Sequence, residues 1–65
     1  MIGKKIKTIR RVLGFNQVEF AVKLGKTPAA ISQIENGKRN PSYETITKII
    51  DTFNVSPNVL FEKEA

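Results

Sequence analysis

Residues 16–37 have the sequence NQVEFAVKLGKTPAAISQIENG. The apolar residues of this stretch recur three or four positions apart, which is the spacing of amphipathic α-helices. Gly25 interrupts the pattern and Thr27 with Pro28 restarts it, because Thr caps a helix and Pro suits its first position. Two short helices joined by so brief a turn have to cross steeply, so the stretch predicts a helix-turn-helix unit over residues 17–36.

The start of the first of these helices carries two local signals. Asn16 is a good N-cap, and Glu19, three residues later, completes the pattern of a capping box. Phe15 precedes the cap and Phe20 follows it, at the spacing of a hydrophobic staple. Both signals predict that the helix begins directly after Asn16.

Outward from this unit, the same periodicity predicts three further helices. One precedes the unit, and two follow it, beginning after the caps Ser42 and Ser56. The residues expected to face inward on these helices are Ile2, Ile6, Ile9, Leu13, Ile46, Ile49, Ile50, Phe53 and Leu60. No segment alternates polar and apolar residues long enough for a strand, so the predicted fold class is all-α, with five helices in a single domain over residues 1–65.

The composition of the chain excludes several classes of protein. The 65 residues contain no Cys and no His, which rules out disulfides, zinc fingers and thiolate or histidine catalysis. Because the acids are scattered and so small a domain has little room for a pocket, we expect no enzyme activity, no cofactor, no metal and no small-molecule substrate. No apolar run approaches the ~18 residues that cross a bilayer, and no signal peptide is evident, so we expect a cytoplasmic protein.

The charge of the chain is strongly basic and unevenly spread. The net charge is +5 at pH 7, an excess that favours a polyanion as partner. Residues 1–16 contribute +5, residues 17–39 contribute +2 and residues 40–65 contribute −2. Nucleic acid suits this distribution better than a membrane surface, because the apolar face of the first helix is needed for the core.

Several stretches of the chain resemble one family closely. They are IGKKI over residues 2–6, GFNQ over 14–17, FAVKLG over 20–25, ISQIENGKRNP over 31–41 and LF over 60–61. On these stretches the chain resembles the Cro/cI-type helix-turn-helix family, also called lambda-repressor-like or xenobiotic-response-element regulators. The resemblance extends from Ile2 to Phe61, and it implies a compact five-helix domain that binds double-stranded DNA as a dimer.

The resemblance also implies roles for individual residues. In the family the third helix lies in the DNA major groove, and the second lies across the DNA backbone. The positions that face base edges are occupied by Thr27, Pro28, Ala29, Ser32 and Gln33. The positions assigned to the DNA backbone are occupied by Asn16, Gln17, Lys26, Asn36, Lys38, Arg39 and Asn40. Arg10 and Glu35 occupy the positions at which the family often has a structural ion pair, here expected to be partly buried.

Two positions depart from the family pattern. Pro28 stands where many relatives have a polar side chain that contacts a base, and Lys26 stands where an apolar residue is common. Because the side chain of Pro28 has no donor or acceptor, direct readout depends on Gln33, Ser32 and Thr27. We expect Gln33 to hydrogen-bond a base, with a merely solvated glutamine as the alternative, and we expect specificity to depend largely on DNA shape.

The C-terminal end predicts a homodimer interface. Relatives commonly self-associate there, and Val55, Val59 and Phe61 are the candidates for the contact. Leu60 is expected to face the core instead. The alternative is that all of these residues only cover the hydrophobic core, as part of the fifth helix and the residues before it.

Three functional hypotheses remain open. The main hypothesis is a small transcriptional repressor that occupies a pseudo-palindromic operator as a dimer and blocks polymerase. A second is an antitoxin or adaptor module whose main partner is a protein, since Val12, Val18 and Val22 fall at exposed positions that are either scattered apolar residues or a docking patch. A third is the N-terminal DNA-binding domain of a longer regulator, since the chain ends just past the fifth helix.

Overall fold

Local caps and turn residues divide the chain into five α-helices. The computed structural model describes residues 2–61, and the side chains of residues 2–60. The helices are α1 (Ile2–Val12), α2 (Gln17–Leu24), α3 (Pro28–Glu35), α4 (Tyr43–Phe53) and α5 (Pro57–Phe61). This stretch of the chain contains no strand, and the all-α prediction is confirmed for it.

α2, α3 and α4 begin at the predicted caps. The side-chain oxygen of Asn16 accepts a hydrogen bond from the backbone N–H of Glu19 at 2.8 Å, and the backbone N–H of Asn16 donates to Glu19 Oε1 at 3.0 Å. This reciprocal pair is the predicted capping box, and it begins α2 at Gln17. Thr27 caps α3 and Ser42 caps α4, each through a side-chain oxygen that accepts from a backbone N–H in the first turn.

Two of the helices end at residues with a left-handed backbone. Gly25 follows α2 with φ 66°, a value that glycine adopts at little cost. Asn54 follows α4 with φ 53°, and asparagine tolerates this region better than most residues do. Only Lys26 and Thr27 then separate Gly25 from α3, so α2 and α3 are joined by the short turn that the sequence predicts.

One hydrophobic core joins all five helices. Its buried residues are Ile6, Ile9, Phe20, Ala21, Leu24, Ile31, Ile34, Ile49 and Leu60. Phe53 of α4 stacks on Phe20 with ring centroids 5.0 Å apart, and its centroid lies 5.6 Å from that of Phe15. The two phenylalanines at the staple positions therefore both pack against Phe53, which ties the start of α2 to α4.

The prediction that Leu13 faces the core is wrong. α1 ends at Val12, and Leu13 lies in the following turn with 40% of its surface exposed. Gly14, with φ 82°, turns the chain away from the helix axis directly afterwards. The N–H of Leu13 still donates to the carbonyl oxygen of Ile9 at 3.0 Å, but Leu13 lies at the very end of the helix, where part of its side chain stays exposed.

The packing of the helices places α3 between two neighbours. α2 packs against α3 and α4, and α1 packs against α3 and α5. The central position of α3 leaves one of its faces in the core and the other free for a ligand. In the described range, no helix has the length and apolar character needed to cross a membrane.

Candidate nucleic-acid interface

The five residues assigned to base edges lie at the start and along the outer face of α3. Ile31 and Ile34, on the inner face of the same helix, are 1% and 5% exposed. The side chains with the most access to solvent are those of Thr27, Pro28, Ala29 and Gln33, whereas Ser32 is half-buried. The amide Nδ2 of Asn36 also lies 3.4 Å from Ser32 Oγ, which leaves Ser32 less available than Gln33 to a ligand.

A polar loop extends this outer face beyond the end of α3. Asn36, Lys38, Arg39 and Asn40 are all exposed in it. The backbone N–H groups of Lys38 and Arg39 both donate to the carbonyl oxygen of Gln33, at 2.9 and 3.2 Å. These bonds fold the loop back on α3, so the cations at 38 and 39 are held close to the helix turn that carries Gln33.

The remaining residues assigned to the DNA backbone lie at the two ends of α2. The side chain of Asn16 is exposed but is used as the N-cap, and Lys26 is half-buried in the turn after the helix. Gln17 is the first residue of α2 and is half-buried. The first turn of a helix leaves backbone N–H groups without intrahelical acceptors, so this end of α2 suits an anion such as phosphate.

Arg10 and Glu35 form a buried ion pair between α1 and α3. Arg10 Nε donates to Glu35 Oε2 at 2.7 Å and Arg10 Nη2 donates to Glu35 Oε1 at 3.0 Å. The side chains are 10% and 0% exposed, so the pair is more deeply buried than expected. A third bond, from Arg10 Nη1 to the carbonyl oxygen of Phe15 at 2.8 Å, ties the pair to the turn before α2.

The surroundings of Arg10 keep it charged. The hydrogen bond to Glu35 raises the pKa of Arg10 above its usual value, and the negative charge of Glu35 acts in the same direction. Burial acts in the opposite direction and is outweighed. Within the described side chains, every buried polar atom has a hydrogen-bond partner, so the pair introduces no unsatisfied group into the core.

Gln17 joins this pair, a contact that could not be predicted from the sequence. Gln17 Nε2 donates to Glu35 Oε1 at 3.1 Å, so one carboxylate oxygen accepts from both Arg10 and Gln17. Gln17 and Glu35 are 18 positions apart in the sequence. No local sequence pattern therefore predicts that they are in contact. The contact follows from the way α2 packs on α3.

A second missed feature is the close approach of α1 to the end of α3. A Cβ on Gly3 would overlap the carbonyl oxygen of Ile34. Glycine is therefore needed at position 3 because a side chain there would collide with α3. An unusual backbone angle is not the reason, since Gly3 is part of the helix α1. It allows α1 to lie directly against the turn of α3 that ends in Glu35.

The apolar residues expected on the surface are exposed. Val12, Val18 and Val22 have 81%, 56% and 73% of their surface exposed. Val18 and Val22 line a shallow groove on α2 together with Phe15, Glu19 and Lys23. The ammonium of Lys23 lies 5.4 Å from the centroid of the Phe15 ring and covers part of its face.

The C-terminal residues assigned to a dimer contact differ in their surroundings. Val55 is half-buried and packs against the core, whereas Val59 is 43% exposed. Leu60 is buried in the core, as predicted. The side chain of Phe61 lies outside the described residues.

Comparison with known proteins agrees with this arrangement. A family model described as helix-turn-helix matches residues 6–60. The chain is 43% identical over 56 residues to antitoxin PezA of Streptococcus pneumoniae. The matched region covers 86% of the chain and 35% of that protein. It is 34% identical over 62 residues to the uncharacterized HTH-type transcriptional regulator YazB of Bacillus subtilis, which covers 95% of the chain and 90% of that protein.

A third relative extends the comparison to a longer regulator. The chain is 34% identical over 65 residues to the HTH-type transcriptional regulator SinR of Bacillus subtilis, which covers 98% of the chain and 59% of that protein. The chain thus spans about a third of the antitoxin, just over half of SinR and most of YazB. No solved structure matches the chain significantly. The chain belongs to the Cro/cI-type helix-turn-helix family of DNA-binding regulators.

Proposed function

We propose that the chain regulates transcription by binding double-stranded DNA with the outer face of α3 in the major groove. The observation that supports this proposal is the division of α3 into a buried apolar face and an exposed face that carries Thr27 and Gln33. The loop with Lys38 and Arg39 is folded against the same helix. Base contacts and phosphate contacts can therefore be made from one surface.

In this proposal Gln33 provides most of the direct readout. Its amide offers a donor and an acceptor, which matches the major-groove edge of adenine. Pro28 and Ala29 present only apolar surface to the bases, and Ser32 is half-buried and bonded to Asn36. Sequence preference therefore depends largely on the shape and deformability of the DNA, with phosphate contacts fixing the position of the domain.

We further propose that the domain acts as a homodimer and represses transcription in the cytoplasm. Two copies would contact each other through the C-terminal end of the domain, where Val55, Val59 and Phe61 are the candidate residues. Two α3 helices would then face half-sites about one turn of DNA apart, which corresponds to a pseudo-palindromic operator. A dimer bound over a promoter blocks polymerase by occupying its site, without catalysis by the protein.

The experiment that tests this function is the selection of bound duplexes from a random DNA pool, with light scattering on the same sample. The proposal predicts enriched half-sites with symmetric spacing and a protein of twice the monomer mass. Sharp preferences at four or more base pairs of each half-site would contradict the dominant role of DNA shape. A pool without enrichment over the input would contradict sequence-dependent binding altogether.

A second candidate function is that of an antitoxin, or of an adaptor whose main partner is a protein. The similarity to antitoxin PezA and the exposed Val18 and Val22 on α2 support it. A mobility shift with duplex DNA, set against a pull-down with the product of the neighbouring gene, distinguishes the two functions. The chain also spans only 35% of that antitoxin, so a place as the DNA-binding domain of a longer regulator is consistent with either function.

A further inference from the structure

The amide of Gln17 is held in one orientation by a buried charge. Glu35 is the last residue of α3, and its side chain is completely buried. A carboxylate only accepts hydrogen bonds, so the amide of Gln17 has to turn its Nε2 group toward Glu35 Oε1. One N–H of that group is used in this bond. Gln17 itself is half-buried, so part of its side chain is accessible to a ligand at the start of α2.

The orientation of Gln17 depends on Arg10 in turn. Arg10 binds both oxygens of the Glu35 carboxylate and also the carbonyl oxygen of Phe15. The carboxylate is thereby fixed in position, and its charge is compensated next to the start of α2. Without Arg10, a buried negative charge close to this end of α2 would repel a phosphate instead of helping to bind it.

From this geometry we infer that Arg10 and Glu35 are positioning residues for DNA binding, which orient the Gln17 amide so that its second N–H donates to a phosphate. The inference rests on the proposed DNA binding and assigns a further role to a pair that sequence analysis treated as purely structural. A glutamine that is ordered before binding loses less rotamer freedom when it meets the phosphate. The same amide, if unanchored, would contribute little, because ordering a free glutamine side chain offsets the gain from one exposed hydrogen bond.

The first test uses side-chain amide relaxation measured by NMR on the unmodified protein without DNA. The chain contains two glutamines, the anchored Gln17 and the exposed Gln33, which serves as the internal control. The order parameter of the Gln17 amide is expected to be clearly higher than that of the Gln33 amide. Equal mobility of the two amides would overturn the inference without requiring any variant to fold.

The second test is a mutational cycle on the affinity for a labelled duplex of mixed sequence. The apolar pair Arg10→Met with Glu35→Leu removes both charges, and such replacements often keep a protein stable. We expect this double variant to bind about fivefold more weakly than the wild type, and Gln17→Met alone to cause a similar loss. The salt dependence should stay unchanged, because none of these variants alters the net charge.

The deciding result is the effect of Gln17→Met in the background of the double variant. The inference predicts almost no further loss there, because the amide is already unanchored. Losses that simply multiply, or a double variant that binds as tightly as the wild type, would overturn it. If the wild type itself does not bind the duplex, the proposed DNA-binding function is refuted. If the wild type binds but the losses multiply, only the positioning role of Arg10 and Glu35 is refuted. Thermal unfolding of each variant verifies that the domain is folded.

Discussion

The carbonyl oxygen of Ile34, in α3, occupies the place where a side chain on Gly3, in α1, would begin. The two helices therefore meet backbone to backbone, one residue before Glu35. This close approach brings Arg10 of α1 within hydrogen-bond distance of Glu35. The position of α3 relative to α1 thus depends on one glycine and one buried ion pair.

Replacement of Gly3 by Ala tests this contact. Ala favours a helix interior over Gly by about 1 kcal/mol, so propensity alone predicts a more stable protein. We expect the opposite, a loss of about 1–3 kcal/mol in the free energy of unfolding, because the added Cβ has to push α1 away from the Ile34 carbonyl. Urea unfolding followed by circular dichroism measures the change.

Thr8→Ala is the matched control for this substitution. Thr8 is exposed on the same helix, and its replacement should change the stability by less than about 0.5 kcal/mol. A Gly3→Ala variant as stable as the wild type, or more stable, would show that α1 does not approach α3 as closely as described.

Replacement of Gln33 by Ala should weaken DNA binding by about 1–3 kcal/mol and relax the preference at one base position. Gln33 is exposed, so the stability should change little. Competition binding with duplexes that vary a single base pair measures both effects. If neither the affinity nor the base preference changes, the outer face of α3 does not lie against the bases.

Replacement of Lys38 or Arg39 by Ala should weaken binding to all duplexes alike. Each variant removes one cation from the loop next to α3, and the slope of log K against log salt should become shallower by about 1. Lys4→Ala changes the net charge equally, but on the exposed side of α1. Lys4→Ala should therefore change the slope less, and equal slopes for all three variants would mean that only the overall charge matters.

Replacement of Val59 by Asp should convert the proposed dimer into a monomer. The charge would be placed within the proposed contact, where burial without a partner is costly. Light scattering at several protein concentrations measures the mass. Val22→Asp, at a valine that is more exposed and lies on α2, serves as the control and should leave the mass unchanged. A wild-type protein that is monomeric at all concentrations would refute the dimer.

The helix boundaries could be predicted from the sequence because their signals are local. Asn16 with Glu19, Thr27 with Pro28, and Gly25 each act within a few residues, and the structure has all of them in the predicted roles. Leu13 was misplaced because it lies at the very end of α1, where part of its side chain stays exposed although its N–H still donates to Ile9. Such errors arise where a regular pattern is extended by a single residue past the end of a helix.

The contacts between helices could be predicted only where the family resemblance supplied them. The pairing of Arg10 with Glu35 came from that resemblance, and not from the residues themselves. The bond from Gln17 to Glu35 and the close approach of Gly3 to Ile34 depend on how three helices pack, which no local pattern records. Both contacts help to set the position of α3 relative to α1 and α2. They therefore affect how the proposed DNA-binding surface is presented.

The measurement that tests the central claim most directly is the affinity of the unmodified protein for duplex DNA as a function of salt. If phosphate contacts from the α2 and α3 surface support binding, log K should fall linearly with log salt, with a slope of about −0.9 for each contact. We predict at least a tenfold loss of affinity between ~50 and ~200 mM monovalent salt. Absence of saturable binding at low salt, or an affinity that does not change with salt, would contradict the claim that this domain binds DNA.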